Sequence, residues 1–207
     1  KTAKTLTIAN LSIASKYAVL ATSSPDSINV TNCSNLKSDR VYYLTEDLSG
    51  TQDTNFCMGF LGIRNTTLNC QGHYISGFGS GIGAWINNTV YITLIDCNIW
   101  GYDIDTLIGE NTYGTFIDPS SFCNSNIGVL INKSNGTIID DSIACNNTQY
   151  GIYVLDSDNV TINRSRTYNN GMDLRAENNL GTATTLNLSS LVFDRPAGDS
   201  QDMTDLY

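Results

Sequence analysis

The chain has 207 residues, a mass of 22.5 kDa and a formal net charge of −9, with 11 lysines and arginines in total. This length is ample for one continuous core in a single domain. The scarcity of basic residues excludes nucleic acid as a partner, because nucleic-acid binding depends on neutralising phosphates. No apolar run approaches the ~20 residues of a membrane-spanning helix, so the chain is predicted not to span a membrane.

Residues 1–32 differ in pattern from the rest of the chain. Leu6, Ile8, Leu11 and Ile13 alternate with polar residues, which is typical of a half-buried strand. We expect this segment to be either a cap over the first coil or an arm that pairs with a neighbouring subunit. No leader peptide precedes it, so an exported protein would have lost its leader, or the chain is a piece of a longer one.

Residues 33–193 carry a loose repeat of about 22–26 residues. Each unit opens on a β-branched and aliphatic run, continues into a second short apolar step, and most units turn at glycine before a third. The opening runs begin at Thr66, Ile92, Thr115, Thr137 and Val160. A period in this range is typical of stacked coils, which bury their apolar faces only against their neighbours. The predicted fold is all-β, a right-handed parallel β-helix of about five to seven coils with an extra N-terminal strand.

The segment 194–207 is a polar and acidic tail that ends in Asp205, Leu206 and Tyr207. It lacks the periodicity of the repeat and has no obvious stop signal. We interpret it as a linker, a contact arm or the start of a longer continuation. The sequence therefore divides into an N-terminal segment, a β-helix and a tail.

One stretch of the repeat resembles a known family. Residues 66–77 read TTLNCQGHYISG, they follow a YLTEDL segment at 43–48, and the later runs TLIDCNI at 93–99 and VTIN at 160–163 belong to the same pattern. This pattern is similar to the NosD-like parallel β-helix repeat domains of archaeal secreted and surface-layer proteins. The resemblance covers roughly residues 33–179 and implies the fold and a cell-surface setting. It implies no activity, because related coils serve as lyases, hydrolases, adhesins and passive scaffolds.

The six cysteines are predicted to form three disulfides in an oxidising compartment. Cys123 and Cys145 occupy matching places in adjacent units, and stacked coils lie ~4.8 Å apart, which suits a disulfide. Cys70 and Cys97 also fall early in successive units. The remaining pair is Cys33 with Cys57. Other pairings remain formally possible, and zinc is not predicted because no cysteine or histidine partner lies at ligand spacing.

Asparagine is abundant, at 24 residues, and eleven of the asparagines begin a glycosylation sequon. These are Asn10, Asn29, Asn32, Asn65, Asn87, Asn132, Asn135, Asn146, Asn159, Asn163 and Asn187. Covalent N-glycans on an extracellular surface are the functional interpretation. The structural alternative is that asparagine and threonine both favour β-helix corners. Glycans are expected on the outward corners Asn87, Asn132, Asn146 and Asn159 in preference to Asn10, which lies in the first strand.

Candidate chemical groups are sparse. Carboxylates recur at similar places in three units, and we interpret them as corner caps: Asp96, Asp118 and Asp140. Asp103 and Asp105 lie on one side of a predicted strand and are weak calcium candidates. His73 is the single histidine and is interpreted as a turn residue bonded to backbone. No nucleophile or nucleotide motif is present, so no cofactor and no enzymatic activity are predicted.

A β-helix has open ends and exposed edge backbone, which favours association unless the ends are capped. The leading prediction is therefore a structural, glycosylated extracellular protein that self-assembles into a filament, sheath or surface layer at the cell surface. One alternative is a carbohydrate-active β-helix enzyme, a polysaccharide lyase or hydrolase. Another is a glycan-binding adhesin module. Numerous tyrosines, such as Tyr74 and Tyr168, fit either sugar stacking or protein contacts.

Overall fold

The computed structural model describes residues 27–50, 55–179 and 185–194, and every regular element within them is a β-strand. The strands are β1 Ser27–Val30, β2 Ser34–Asn35, β3 Val41–Leu44, β4 Leu48–Ser49, β5 Phe56–Leu61, β6 Arg64–Asn69, β7 Tyr74–Ser76, β8 Ile82–Asn87, β9 Val90–Trp100, β10 Ile104–Ile108, β11 Thr112–Tyr113, β12 Phe116–Cys123, β13 Ile127–Asn132, β14 Ser134–Asn135, β15 Ile138–Asp140, β16 Ile143–Cys145, β17 Tyr150–Leu155, β18 Val160–Asn163, β19 Arg166–Tyr168, β20 Met172–Glu177, β21 Leu186–Ser189 and β22 Val192–Asp194. The predicted strand at residues 6–13, the sequon at Asn10 and the tail beyond residue 194 lie outside the described residues.

Each turn of the chain passes through three limbs, and successive turns pair in parallel. The first limb contains β1, β3, β6, the start of β9, the start of β12, β15, β18 and β21. The second limb contains β4, β7, the end of β9, the end of β12, β16, β19 and β22. The third limb is the seven-stranded sheet β2, β5, β8, β10, β13, β17 and β20. With about seven turns, the predicted parallel β-helix is confirmed.

The core consists of aliphatic side chains stacked from turn to turn. In the first limb Leu68, Leu94, Ile117, Ile139 and Ile162 lie in register and are at most 1% exposed. Strand geometry sends alternate side chains inward, so a period-two pattern within each limb builds one column of the core. No turn buries its own face, and the stacking of neighbours supplies the hydrophobic stabilisation.

The corners explain the abundance of asparagine and aspartate. Asn124, Asn146, Asp96 and Asp141 all have positive φ values, between 48° and 61°. Asparagine and aspartate tolerate this left-handed conformation better than other residues with a Cβ atom. The corner N–H of Asn124 donates to the carbonyl oxygen of Cys145 in the next turn, at 3.0 Å. The corners therefore continue the parallel hydrogen bonding between turns.

The stack of turns begins within the segment that the sequence sets apart. β1, at Ser27–Val30, pairs in parallel with β3 and forms part of the first limb. Residues 1–26 lie outside the described residues. Among the residues that the structure describes, no helix is long and apolar enough to cross a membrane.

Three disulfides join adjacent turns, and their pairing is the predicted one. Cys33–Cys57, Cys70–Cys97 and Cys123–Cys145 have Cα–Cα distances of 4.4, 4.8 and 4.6 Å. These distances match the spacing of parallel strands, so the bridges fit between turns. Three disulfides indicate an oxidising environment.

Candidate functional site

The outward side chains of the second limb lie in two columns. The first column runs through Tyr74, Asn98, Ser121, Ile143 and Arg166. The second column, two residues further along each strand, runs through Ser76, Trp100, Cys123, Cys145 and Tyr168. The residues between the columns, among them Ile75, Ile99 and Phe122, point inward and are at most 1% exposed. The second limb thus presents two parallel rows of side chains along the axis of the β-helix.

A cleft of about 280 Å³ opens on this limb, and we call it the aromatic cleft. Its lining consists of Tyr74, Asn98, Ile99, Trp100, Ser121, Cys123 and Asn124. The side chains of Tyr74 and Trp100 are 50% and 41% exposed and lie on adjacent strands, in a diagonal relation. Diagonal neighbours on a sheet are within reach of large aromatic side chains, so the two rings border one recess.

The polar side chains of the aromatic cleft are held by their surroundings. Asn98 Nδ2 donates to the carbonyl oxygen of Gly72 at 2.8 Å, which fixes the orientation of the amide. Ser121 Oγ lies 3.4 Å from Cys123 Sγ. A largely apolar recess with a few fixed polar groups is the usual composition of a ligand site. Aromatic rings beside an amide and a hydroxyl suit a ligand that has both apolar faces and hydroxyl groups.

A histidine–carboxylate pair lies one residue from the cleft. His73 Nδ1 is 3.1 Å from Asp47 Oδ1, and the same carboxylate oxygen accepts the N–H of Tyr74 at 2.9 Å. The Tyr74 N–H, followed by the His73 side chain, lowers the pKa of Asp47 below its ordinary value. The Asp47 carboxylate holds the His73 ring at Nδ1. The sequence had assigned His73 a backbone partner, whereas the ring contacts a carboxylate.

The two weak calcium candidates do not share one side of a strand. Asp103 is exposed, and its Oδ1 accepts from Asn126 Nδ2 at 3.0 Å. Asp105 is fully buried, and its Oδ1 accepts the hydroxyl of Ser125. The Asp103 carboxylate thus points into solvent and the Asp105 carboxylate points into the interior. The expectation of one shared side assumed a regular strand through both residues, whereas β10 begins at Ile104. In the described ranges no group of three histidine, cysteine or acidic side chains lies close enough to hold a metal ion.

The sequons fall into two groups by exposure. The exposed group is Asn29, Asn32, Asn65, Asn146 and Asn159, and the half-buried group is Asn87, Asn132, Asn135, Asn163 and Asn187. Asn146 and Asn159 lie at corners, as expected. Asn87 and Asn132 instead end the third-limb strands β8 and β13, and Asn132 Oδ1 is buried without a hydrogen-bond partner. The expected preference for these two sites therefore lacks its geometric basis, and glycosylation itself stays a prediction.

The sequence named Tyr74 among its aromatic residues but missed the importance of Trp100. In the sequence, Ile99 and Trp100 together form the second apolar step of their unit, and this run alone does not show which of the two side chains points outward. The signal that identifies it is alternation, because a buried Ile99 forces its neighbour outward. Asp47 was missed for another reason. It lies 26 residues before His73, and only the stacking of turns brings the two side chains together.

The sequence matches no protein-family model and no curated protein. Solved structures match its fold. The periplasmic alginate epimerase AlgG superposes with a TM-score of 0.51 at 13% identity, over 77% of this chain and 49% of that chain. Tailspike protein 2 of bacteriophage CBA120, in its enzymatically active domain, gives 0.48 at 14% identity, over 83% and 38%. The mannuronan C-5 epimerase AlgE4 A-module of Azotobacter vinelandii gives 0.31 at 11% identity, over 74% and 66%.

This chain spans about half the length of the alginate epimerase that it matches. At such an identity the likeness to the alginate epimerase establishes the fold alone, a parallel β-helix. The NosD-like pattern stays a resemblance of the sequence. The prediction that the chain is not an enzyme is corrected, because the solved structure whose fold it shares at a TM-score of 0.51 is an epimerase. That prediction relied on the lack of a local motif, and a stacked fold gathers site residues from separate turns.

Proposed function

We propose that this chain is an extracellular, carbohydrate-active β-helix protein. In this proposal it binds a polysaccharide in the aromatic cleft and acts on it with His73 and Asp47 as an acid–base pair. The observation that carries the proposal is the exposed pair Tyr74 and Trp100 beside the fixed amide of Asn98. A sugar ring has an apolar face that packs on an aromatic ring and hydroxyl groups that bond to amides.

The shape of the second limb supports a polymeric ligand. Asp47 precedes the residue of β4 that pairs with Ile75, so it continues the column of Tyr74 by one turn. At ~4.8 Å per strand, the column from Asp47 to Arg166 spans roughly 24 Å. At its far end the Arg166 guanidinium lies 5.8 Å from the centroid of the Tyr168 ring. The limb therefore offers aromatic and polar groups in a line, which suits a linear glycan parallel to the β-helix axis.

The charge of the site supports a glycan with few negative groups. The residues that line the aromatic cleft are all uncharged, and the chain as a whole has a net charge of −9. A negatively charged protein repels a polyanion and lowers its local concentration. We therefore expect neutral polysaccharides to bind more tightly than acidic ones of the same length.

Binding is tested by screening a glycan array and then measuring the dissociation constant of the best oligosaccharide. Trp100→Ala removes one of the two rings of the cleft, so we expect affinity to fall at least about tenfold, or ~1.4 kcal/mol. The matched control is Tyr113→Ala, which removes an exposed aromatic ring of β11 outside both the cleft and the third limb. Equal affinity in the two variants would show that the aromatic cleft is not the site.

Catalysis is tested separately on the glycan that binds. His73→Gln keeps a polar side chain but removes the titratable ring, so we expect turnover to fall by about 10²- to 10⁴-fold with affinity retained. Asp103→Asn, an exposed carboxylate beyond the cleft, is the control. An unchanged turnover rate of the His73→Gln variant would show that His73 takes no part in the chemistry, and the binding proposal would still stand.

The extracellular setting in this proposal has support of its own. The three disulfides need an oxidising compartment, and five sequons are exposed. We expect glycans at exposed corners such as Asn146 and Asn159 in protein from its native source. Intact-mass analysis checks this, and a mass equal to the bare 22.5 kDa polypeptide would contradict it.

A further inference from the structure

The outer face of the third limb is apolar across β5 to β17, and it ends on β20 in the ion pair of Arg175 with Glu177. Its middle row places four large side chains in register on consecutive strands: Trp85, Leu107, Leu130 and Tyr153. A second row runs beside it through Phe56, Ile82, Ile104, Ile127, Tyr150 and Met172. The four side chains of the middle row point away from the core and are only half-buried. We call this surface the third-limb face.

The first limb shows what an outward row of this protein looks like when water covers it. Its last outward row is polar at four of five positions: Asn69, Ile95, Asp118, Asp140 and Asn163. The outward row beside it has threonine at three of five positions: Thr67, Thr93, Phe116, Ile138 and Thr161. The two limbs belong to the same turns and share the same core, so the difference lies in what each outer face meets. Large contiguous apolar patches on a protein surface mark interaction sites.

We propose that the third-limb face binds the same face of a second copy of this chain. Six strands, β5 to β20 of this sheet, at ~4.8 Å spacing and five or six residues long at ~3.3 Å per residue, give a face of roughly 24 by 20 Å. Two such faces together bury on the order of 1,000 Å², which is the size expected of a biological interface. A sheet face is also self-complementary under a two-fold axis, with the two sheets ~10 Å apart.

A single extended segment fits this face less well than a second sheet. One extended segment laid flat on the face covers one row of side chains. The apolar area consists of two rows side by side, each running along the β-helix axis. Its backbone N–H and C=O groups would face side chains and find no partners there. A second third-limb face has all of its strands already paired and brings matching apolar rows.

The charge of the protein gives the dimer a distinctive salt dependence. Each copy has a net charge of −9, so two copies repel each other at low ionic strength. Salt screens this repulsion without weakening apolar contacts. We therefore expect the dissociation constant of the dimer to decrease as salt is added, which is the reverse of the behaviour of a dimer held by ion pairs.

The test is the mass of the full chain in solution, by sedimentation equilibrium over a range of protein and salt concentrations. The expected result is a monomer–dimer equilibrium that shifts toward dimer with salt. The double variant Leu107→Lys and Leu130→Lys, which buries charges at the centre of the face, is expected to lose the dimer. The matched control Thr93→Lys and Ile138→Lys adds the same charges to outward positions of the first limb and is expected to keep it.

Circular dichroism establishes that each variant keeps its strands. Should the lysine variant fail to fold, Leu130→Cys replaces it, because a residue near the centre of a two-fold face lies close to its own copy. Oxidation is then expected to yield a covalent dimer. The proposal is overturned if the full chain is monomeric throughout, or if the control loses the dimer as the test variant does. It is also overturned if dimers form only after residues 1–26 are deleted, since the chain's own N-terminal segment would then be the cover.

Discussion

At the scale of single residues, the interior of the third limb shows paired changes of volume. Gly128 leaves space that the corner side chain of the next turn fills, and a methyl group on this glycine would lie 2.9 Å from Asn147 Nδ2. One turn earlier, the glycine position is occupied by Asp105 and the matching corner residue is Ser125, which bonds to it. A larger residue in the strand is thus balanced by a smaller one at the corner, as close packing requires.

This pairing predicts the outcome of an exchange. Ser125→Asn alone places an amide against Asp105 and is expected to destabilise the protein by roughly 1–3 kcal/mol through overpacking. The double variant Asp105→Gly with Ser125→Asn copies the arrangement of the next turn and is expected to recover most of that loss. Urea unfolding of the three proteins measures the difference. Equal destabilisation of the single and double variants would contradict the volume pairing.

Asp105 also predicts how stability depends on pH. Burial is the main cause that raises the pKa of this carboxyl well above its ordinary value, against the smaller lowering effect of Ser125. Its Oδ2 is buried without a hydrogen-bond partner, so the protonated form suits the site. The folded state therefore holds a proton that the unfolded state releases above a pKa of ~3.9. The contribution of this proton to the free energy of unfolding is fully present below that pH. It declines as pH rises, by up to ~1.4 kcal/mol per pH unit, until the pKa of the folded state is reached.

Asp105→Asn keeps the shape of the protonated side chain without its titration. We expect the variant to be more stable than the wild-type protein at neutral pH and equally stable near pH ~4. Thermal unfolding at a series of pH values compares the two proteins. A stability difference that is constant across the series would show that Asp105 does not titrate in this way.

At the scale of elements, the repeat of the sequence predicted the strands of the core limbs well. The opening runs at Ile92, Thr137 and Val160 lie in the first-limb strands β9, β15 and β18 or directly before them. The pattern succeeded because buried and outward positions alternate along the first-limb strands, whereas the third-limb strands have two consecutive buried residues near their starts. It did not separate Asp103 from Asp105, since the start of β10 between them reverses which side each carboxylate faces.

The disulfides tie particular elements together and have a predictable effect. Cys123–Cys145 joins β12 to β16 and closes a loop with a sequence separation of 22. On the loop-entropy account, replacing both cysteines by alanine destabilises the protein by roughly 3 kcal/mol. The change is measured by chemical unfolding under non-reducing conditions. The double variant of Cys33 and Cys57 serves as a comparison, because its sequence separation of 24 predicts a similar loss of unfolding free energy. No measurable loss in either variant would contradict the account.

At the scale of the whole molecule, the three limbs present three different surfaces on one core. The first limb is mostly polar, the second contains the aromatic cleft, and the third is apolar. The fold followed from the period of the sequence, because any β-helix needs that period. The candidate site did not, because its residues come from turns whose members lie more than twenty positions apart in the chain. Stacking brings them within one strand spacing, and no local motif records this.

The proposal that the second limb binds a polysaccharide is tested most directly by a structure of the protein with its oligosaccharide bound. We expect a sugar ring packed on Tyr74 or Trp100, with the glycan running parallel to the β-helix axis and passing within hydrogen-bond distance of Asn98. His73 Nε2 should then lie next to a glycosidic oxygen or a ring carbon of the bound chain. A glycan found on the first or third limb, with the aromatic cleft unoccupied, would contradict the account.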